Sequence, residues 1–166
     1  MRTFSFATFY LAAVAVTAYF AGFQKGVADV TPVAGATENP VIINAPELNV
    51  QLNQAASILI NCGEFRAKHP TRIQDLRRFG TVQFAYIDKL DSYLQHALAI
   101  TIAEKRIILL TPAFFTLNYE QQRSILGHEM LHIIGIPSSL AHNTEYVNVE
   151  KDEVYRLTFA CFDDVP

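Results

Sequence analysis

The tightest constraint on this chain is one segment, residues 118–134, which reads as a helix with almost no solvent-facing side. Ile125, Met130, Leu131, Ile133 and Ile134 spread apolar side chains around several of its faces, so it must be packed on more than one side. Asn118 stands where an N-cap belongs, and Gln121 three positions on completes a capping-box pattern. Gly135 and Pro137 end the segment as a terminal glycine and a following proline usually do. Inside this apolar helix lies the polar run His128-Glu129-Met130-Leu131-His132. Burying an imidazole–carboxylate–imidazole set without partners is costly, so the fold has to supply partners for it.

The rest of the chain provides elements to enclose that helix. Residues 37–47, with Pro40 and Pro46, form an extended lead-in. Residues 48–67 show helical spacing at Val50, Ala55, Ile58, Leu59 and Cys62, and His69-Pro70 ends that helix. A short helix over 72–79 stops at Gly80. Residues 81–87 are rich in β-branched and aromatic side chains and read as a strand. Residues 88–96 read as a loop or one helical turn. Residues 98–103 and 106–110 read as two strands joined in a hairpin at Glu104-Lys105. After the buried helix come a polar loop, 138–148, and a last helix from near Val149 to about Phe162. This order predicts an α+β domain, with helices on one face of a small, mostly antiparallel sheet.

Residues 1–36 have the pattern of an export signal. Arg2 precedes an uncharged, mostly apolar stretch, 3–24, and Ala34-Gly35-Ala36 offers a small-x-small cleavage site, with Gly26-Val27-Ala28 as an alternative. The stretch is long enough that an uncleaved membrane anchor is the competing reading. Removing 1–36 takes away Arg2, Lys25 and Asp29 and moves the net charge from −3 to −4. No block of like charges suggests a nucleic-acid partner. Residues 37–166 are read as a single monomeric domain, secreted or periplasmic. The two cysteines, Cys62 and Cys161, both fall in it; an exported chain is expected to pair them, with two buried free thiols as the alternative.

The polar run has a spacing that matters chemically. His128 and His132 emerge about 40° apart and one turn above each other, so both imidazoles can reach one Zn²⁺ ion at about 2.0–2.1 Å. Glu129 is rotated by about 100° from His128. It flanks such an ion as a general base for a water whose pKa zinc lowers towards ~7.

The His-Glu-x-x-His run resembles that of the zincin metallopeptidases, and the expected fold is correspondingly zincin-like. A zincin needs a third ligand. Ser138 stands where metzincins carry a histidine. The candidates are His142, Glu145, Glu150, Asp152 and Glu153, and Asp152 follows His132 by 20 positions, a spacing similar to that of thermolysin-like gluzincins, which use glutamate. Asp152-Glu153-Val154-Tyr155 also resembles the Asp-x-x-Tyr element of the aspzincins, or deuterolysin-like peptidases, although the Gly-Thr before the Asp is absent and Arg156 replaces the following Gly. The two motifs cover about a tenth of the chain. The resemblance implies Asp152 as the third zinc ligand and Tyr155, or second to it Arg156, as the group that stabilises the transition state. It implies a secreted zinc endopeptidase acting on a peptide or protein, with the peptide laid along an edge strand, residues 106–110 or 82–87. Hydrolysis of cell-wall peptide cross-links and a zinc-stabilised binding domain without turnover are the alternatives. His69, His96 and His142 read as surface histidines.

Overall fold

The structure is a computed structural model, and it describes residues 40–88, 97–138 and 152–166. The proposed signal or anchor, the 89–96 connection and the loop holding His142, Glu145 and Glu150 lie outside the described residues. The elements are strand β1 (Val41–Ile43), helices α1 (Pro46–Asn61), α2 (Gly63–Lys68) and α3 (Ile73–Arg77), strands β2 (Gln83–Tyr86), β3 (Ala99–Ile102) and β4 (Ile107–Leu110), and helices α4 (Tyr119–Ile133) and α5 (Glu153–Cys161). The class is α+β, as expected.

The sheet has the order β1-β2-β4-β3. β3 and β4 form the expected antiparallel hairpin, with Ala99 opposite Leu110 and Ile102 opposite Ile107. Its connection is a 3₁₀ turn at Ala103–Lys105 closed by Arg106 in the left-handed region at φ 53°. The central pairing, β2 with β4, is parallel, so the sheet is mixed, with two antiparallel pairings and one parallel. β1 was hidden in the proline-flanked lead-in, and it adds an antiparallel edge against β2. Two expectations are corrected by this order. Residues 82–87 and 106–110, both expected as possible edges, hold the two interior strands; the edges are β1 and β3. Interior position also explains why Ile107, Ile108, Leu109 and Leu110 are all buried: a strand covered on both faces is continuously apolar.

One sheet face, through Phe84, Ile108 and Leu110, joins the main core with Leu52 and Leu59 of α1, Leu126, Met130 and Leu131 of α4, and Val154 and Leu157 of α5. Fully burying such side chains stabilises the fold by roughly 1.5–3 kcal/mol each. The long helix expected over 48–67 is two helices, because Cys62 is extended at φ −67°, ψ 122°. The helix expected over 72–79 is a 3₁₀ turn at Pro70–Arg72 followed by α3. α4 has the full capping box: Gln121 N–H donates to Asn118 Oδ1 at 2.9 Å, and Asn118 N–H to Gln121 Oε1 at 3.3 Å. At its other end Gly135 takes φ 76°, and Ile136 N–H returns to the Leu131 carbonyl at 3.0 Å.

α5 begins later than expected, at Glu153, because Asp152 itself is extended at φ −82°, ψ 125° and serves as the N-cap. The far end of α5 is fixed by a disulfide between Cys161 and Cys62, 99 positions apart. Next to it, Phe162 is buried and its ring points at Gly127 of α4. A Cβ on Gly127 would lie 2.2 Å from Phe162 Cζ, so this close approach of the C-terminal segment to α4 requires glycine there.

Candidate functional site

His128 and His132 lie on the α4 face that meets α5 and the end of the sheet. Their Nε2 atoms converge to 3.2 Å, with the rings edge-to-face at 72°. Two ligands at 2.0–2.1 Å from one tetrahedral zinc stand about 3.3 Å apart, so this separation fits a shared ion. Nδ1 of His128 lies 3.1 Å from Thr158 Oγ1 on α5. His128 is only 6% exposed, and that hydroxyl gives its inner nitrogen a partner in a place with little access to water.

Glu129 is buried, and its Oε2 has no hydrogen-bond partner among the described residues. Burial pushes its pKa from 4.5 up to about 7, against a downward pull from hydrogen bonds of the Thr101 side chain and backbone. Desolvation disfavours the charged carboxylate, and here it outweighs the hydrogen bonds that favour it. Thr101 also donates from Oγ1 to the Glu129 backbone carbonyl at 3.2 Å. β3, the edge strand, is thereby tied directly to the residue in question.

Tyr155 packs its ring edge-on against His128, with centroids 4.6 Å apart. Its hydroxyl pKa is raised by burial, then by the charges of Glu129 and Asp152, so the phenol stays protonated and able to donate. His128, Glu129, Tyr155 and Thr158 line one cavity of about 180 Å³, together with residues 97–99 of the sheet end and Phe159. Glu129 and the two α5 groups therefore open onto a shared space.

No family model, curated protein or solved structure matches this chain.

The structure brings His128, His132, Glu129 and Tyr155 together, but it does not complete a metal-binding trio. Among the described residues no three His, Cys, Asp or Glu side chains gather around one point. Asp152 is fully buried. Its Oδ1 accepts the Tyr155 N–H at 3.1 Å and its Oδ2 the Ser138 hydroxyl at 2.7 Å. Glu153 turns away from the site to His69 at 3.2 Å and Lys68 at 3.8 Å, which also corrects the reading of His69 as an ordinary surface residue. Arg156 faces Glu64 at 3.9 Å, and both are well exposed. It does not share the surroundings of Tyr155. The candidates His142, Glu145 and Glu150 lie outside the described residues.

Sequence reasoning missed Thr101 and Thr158. They are 28 and 30 positions from the residues they touch, and a threonine in a strand or helix carries no local signal of a long-range partner. The capping role of Asp152 was missed too, because the helix was expected to start near Val149; an aspartate immediately before a helix is a strong N-cap signal and could have placed the start at Glu153.

Proposed function

We propose that this chain is an exported zinc-dependent endopeptidase with a zincin-like domain. The observation that carries the reading is the pair of Nε2 atoms 3.2 Å apart beside the buried Glu129 carboxyl. The donor chemistry fits zinc: imidazole nitrogens are among its ordinary ligands, and a buried, unpartnered carboxyl oxygen is where a reacting water would be held. His128 and His132 hold the ion through Nε2. Asp152 is the first candidate for the third ligand: it is fully buried and its carboxylate caps the α5 turn that carries Tyr155.

When bound, zinc supplies the Lewis acidity that makes water deprotonatable near neutrality and polarises the scissile carbonyl. Glu129 accepts the proton on Oε2 and later returns it to the nitrogen of the leaving amine. In the metal-free protein burial raises this carboxyl to about 7; the charge of a bound zinc ion would lower it again and so favour the carboxylate that a general base requires. Tyr155, protonated and edge-on to His128, donates to the oxyanion. The substrate lies extended along β3, the edge strand bound to Glu129 through Thr101, by strand addition. Export is supported by the Cys62–Cys161 disulfide, a bond characteristic of oxidising compartments.

The test uses purified mature protein. One zinc per chain is expected by elemental analysis, with cleavage of an unfolded protein such as casein. Glu129→Gln should retain zinc while cleavage falls by roughly 10²–10⁴-fold. Protein that binds no zinc, or a fully active Glu129→Gln variant, would overturn the reading.

A further inference from the structure

We propose that Thr158 is a positioning residue for His128: it fixes the imidazole in the tautomer protonated on Nδ1, which turns the Nε2 lone pair toward His132. The consequence for metal binding rests on the zinc reading above; the tautomer itself does not.

One proton decides the tautomer. Thr158 Oγ1 lies 2.8 Å from the Val154 carbonyl oxygen, one turn back on α5, and 3.1 Å from His128 Nδ1. A hydroxyl has one proton to give and can also accept. A carbonyl oxygen can only accept, so the Thr158 proton goes to Val154. The contact with the imidazole is then satisfied only if Nδ1–H donates to Oγ1. Thr158 is 1% exposed and Val154 0%, so water does not readily take over either role. In a neutral imidazole with its proton on Nδ1, Nε2 is the acceptor. That atom is the one 3.2 Å from His132 Nε2.

The placement of Thr158 is held from both ends of α5. Asp152 caps the first turn through the Tyr155 N–H, and the Cys161–Cys62 bond ties down the last. Between them, Val154, Leu157 and Thr158 form the buried face. A hydrogen bond from the inner nitrogen of a metal-binding histidine sets both ring orientation and tautomer, and losing it typically weakens metal affinity by about 10–100-fold.

Thr158→Val keeps the shape and deletes the hydroxyl; Thr158→Ser keeps the hydroxyl. In metal-free protein labelled with ¹⁵N at histidine, wild type should show His128 protonated on Nδ1 and unprotonated on Nε2. Thr158→Val should lose that preference, and Thr158→Ser should keep it. In competition with a chromogenic chelator, Thr158→Val should bind zinc about 10–100-fold more weakly, with Thr158→Ser recovering most of the loss. Wild-type His128 protonated on Nε2, or a Thr158→Val variant with unchanged tautomer and affinity, would overturn the proposal. The wild-type spectrum decides even if Thr158→Val does not fold. A wild type that takes up no zinc would sink the peptidase reading, while the metal-free spectra would still decide the role of Thr158.

Discussion

Replacing Gly127 by alanine tests how α5 is held against α4. The added Cβ would meet Phe162 Cζ at 2.2 Å, Cε2 at 2.7 Å and Cε1 at 3.1 Å. Carbon atoms in good contact sit about 3.5–4.0 Å apart, so the ring would have to retreat by roughly 1.5 Å. It has little room to do so, being buried at 7% exposure and adjacent to a disulfide. Overpacking costs about 1–3 kcal/mol, and a retreat of roughly 1.5 Å by a confined ring belongs to the upper part of that range, about 2–3 kcal/mol. The alanine also improves helix propensity by about 1 kcal/mol, so a net loss of about 1–2 kcal/mol is expected. The decisive comparison is a double-mutant cycle with Phe162→Ala. That change alone costs about 3–5 kcal/mol, but it removes the ring, so Gly127→Ala on top of it should stabilise by up to about 1 kcal/mol. The sign reversal gives a coupling of about 2–3 kcal/mol, measurable by denaturant unfolding followed by far-ultraviolet circular dichroism. If Gly127→Ala is harmless in the wild type, or costs the same in both backgrounds, the glycine is not there for the ring.

Four further outcomes are expected. In metal-free protein, burial raises the Glu129 pKa from 4.5 to about 7, so its neutral form favours the fold at low pH; that contribution is complete below 4.5 and is lost as the pH rises to about 7. The stability of wild type relative to Glu129→Gln should therefore fall by about 3 kcal/mol across that window, and a constant difference in unfolding free energy at every pH would contradict it. Replacing Cys62 and Cys161 by serine opens a loop spanning 99 positions and should cost about 4–5 kcal/mol in the chain-entropy picture; a thermal unfolding midpoint insensitive to reductant would rule that out. Gly135→Ala, at φ 76°, should lose about 1 kcal/mol in denaturant titration, whereas a neutral result would mean the helix end re-forms without the left-handed residue. Asp152→Asn keeps the helix cap within a few tenths of a kcal/mol but removes the charge, so weakened zinc binding at unchanged stability would mark Asp152 as a ligand, and unchanged zinc binding would confine it to capping.

What the sequence made legible was what short-range physics controls. α4 was read almost to the residue because its cap, its periodicity and its terminal glycine are all local signals. The β3–β4 hairpin was read because its strands are contiguous and alternate with turn residues. The parallel pairing of β2 with β4 was not, since it depends on which strands exclude water together, and no local pattern encodes that. β1 stayed hidden because three residues between prolines carry too little periodicity to separate a strand from a linker. At the site, two imidazoles and a carboxyl followed from helical geometry alone. The long-range groups, Thr101 and Thr158, did not. Asp152 was read only as a candidate ligand within a helix starting near Val149, and the structure shows it as the N-cap of α5.

The arrangement also explains how so polar a run is tolerated inside a core. Neighbouring Leu126, Met130 and Leu131 are fully buried, and burying such side chains stabilises the fold by roughly 1.5–3 kcal/mol each. Two of the polar members meet a group from another element, and the third meets its neighbour on α4. The His128 inner nitrogen meets a hydroxyl from α5, Glu129 meets Thr101 from β3, and the two outer imidazole nitrogens face each other. With its pKa near 7, Glu129 can remain neutral through much of the acid range, which spares the metal-free fold a buried charge. The same features leave, in the metal-free protein, a carboxyl that ionises close to neutrality, beside two nitrogens 3.2 Å apart. Burial that would be a liability in a structural helix is thus what tunes the site, and the disulfide and Gly127 keep α5 close enough for that tuning to persist.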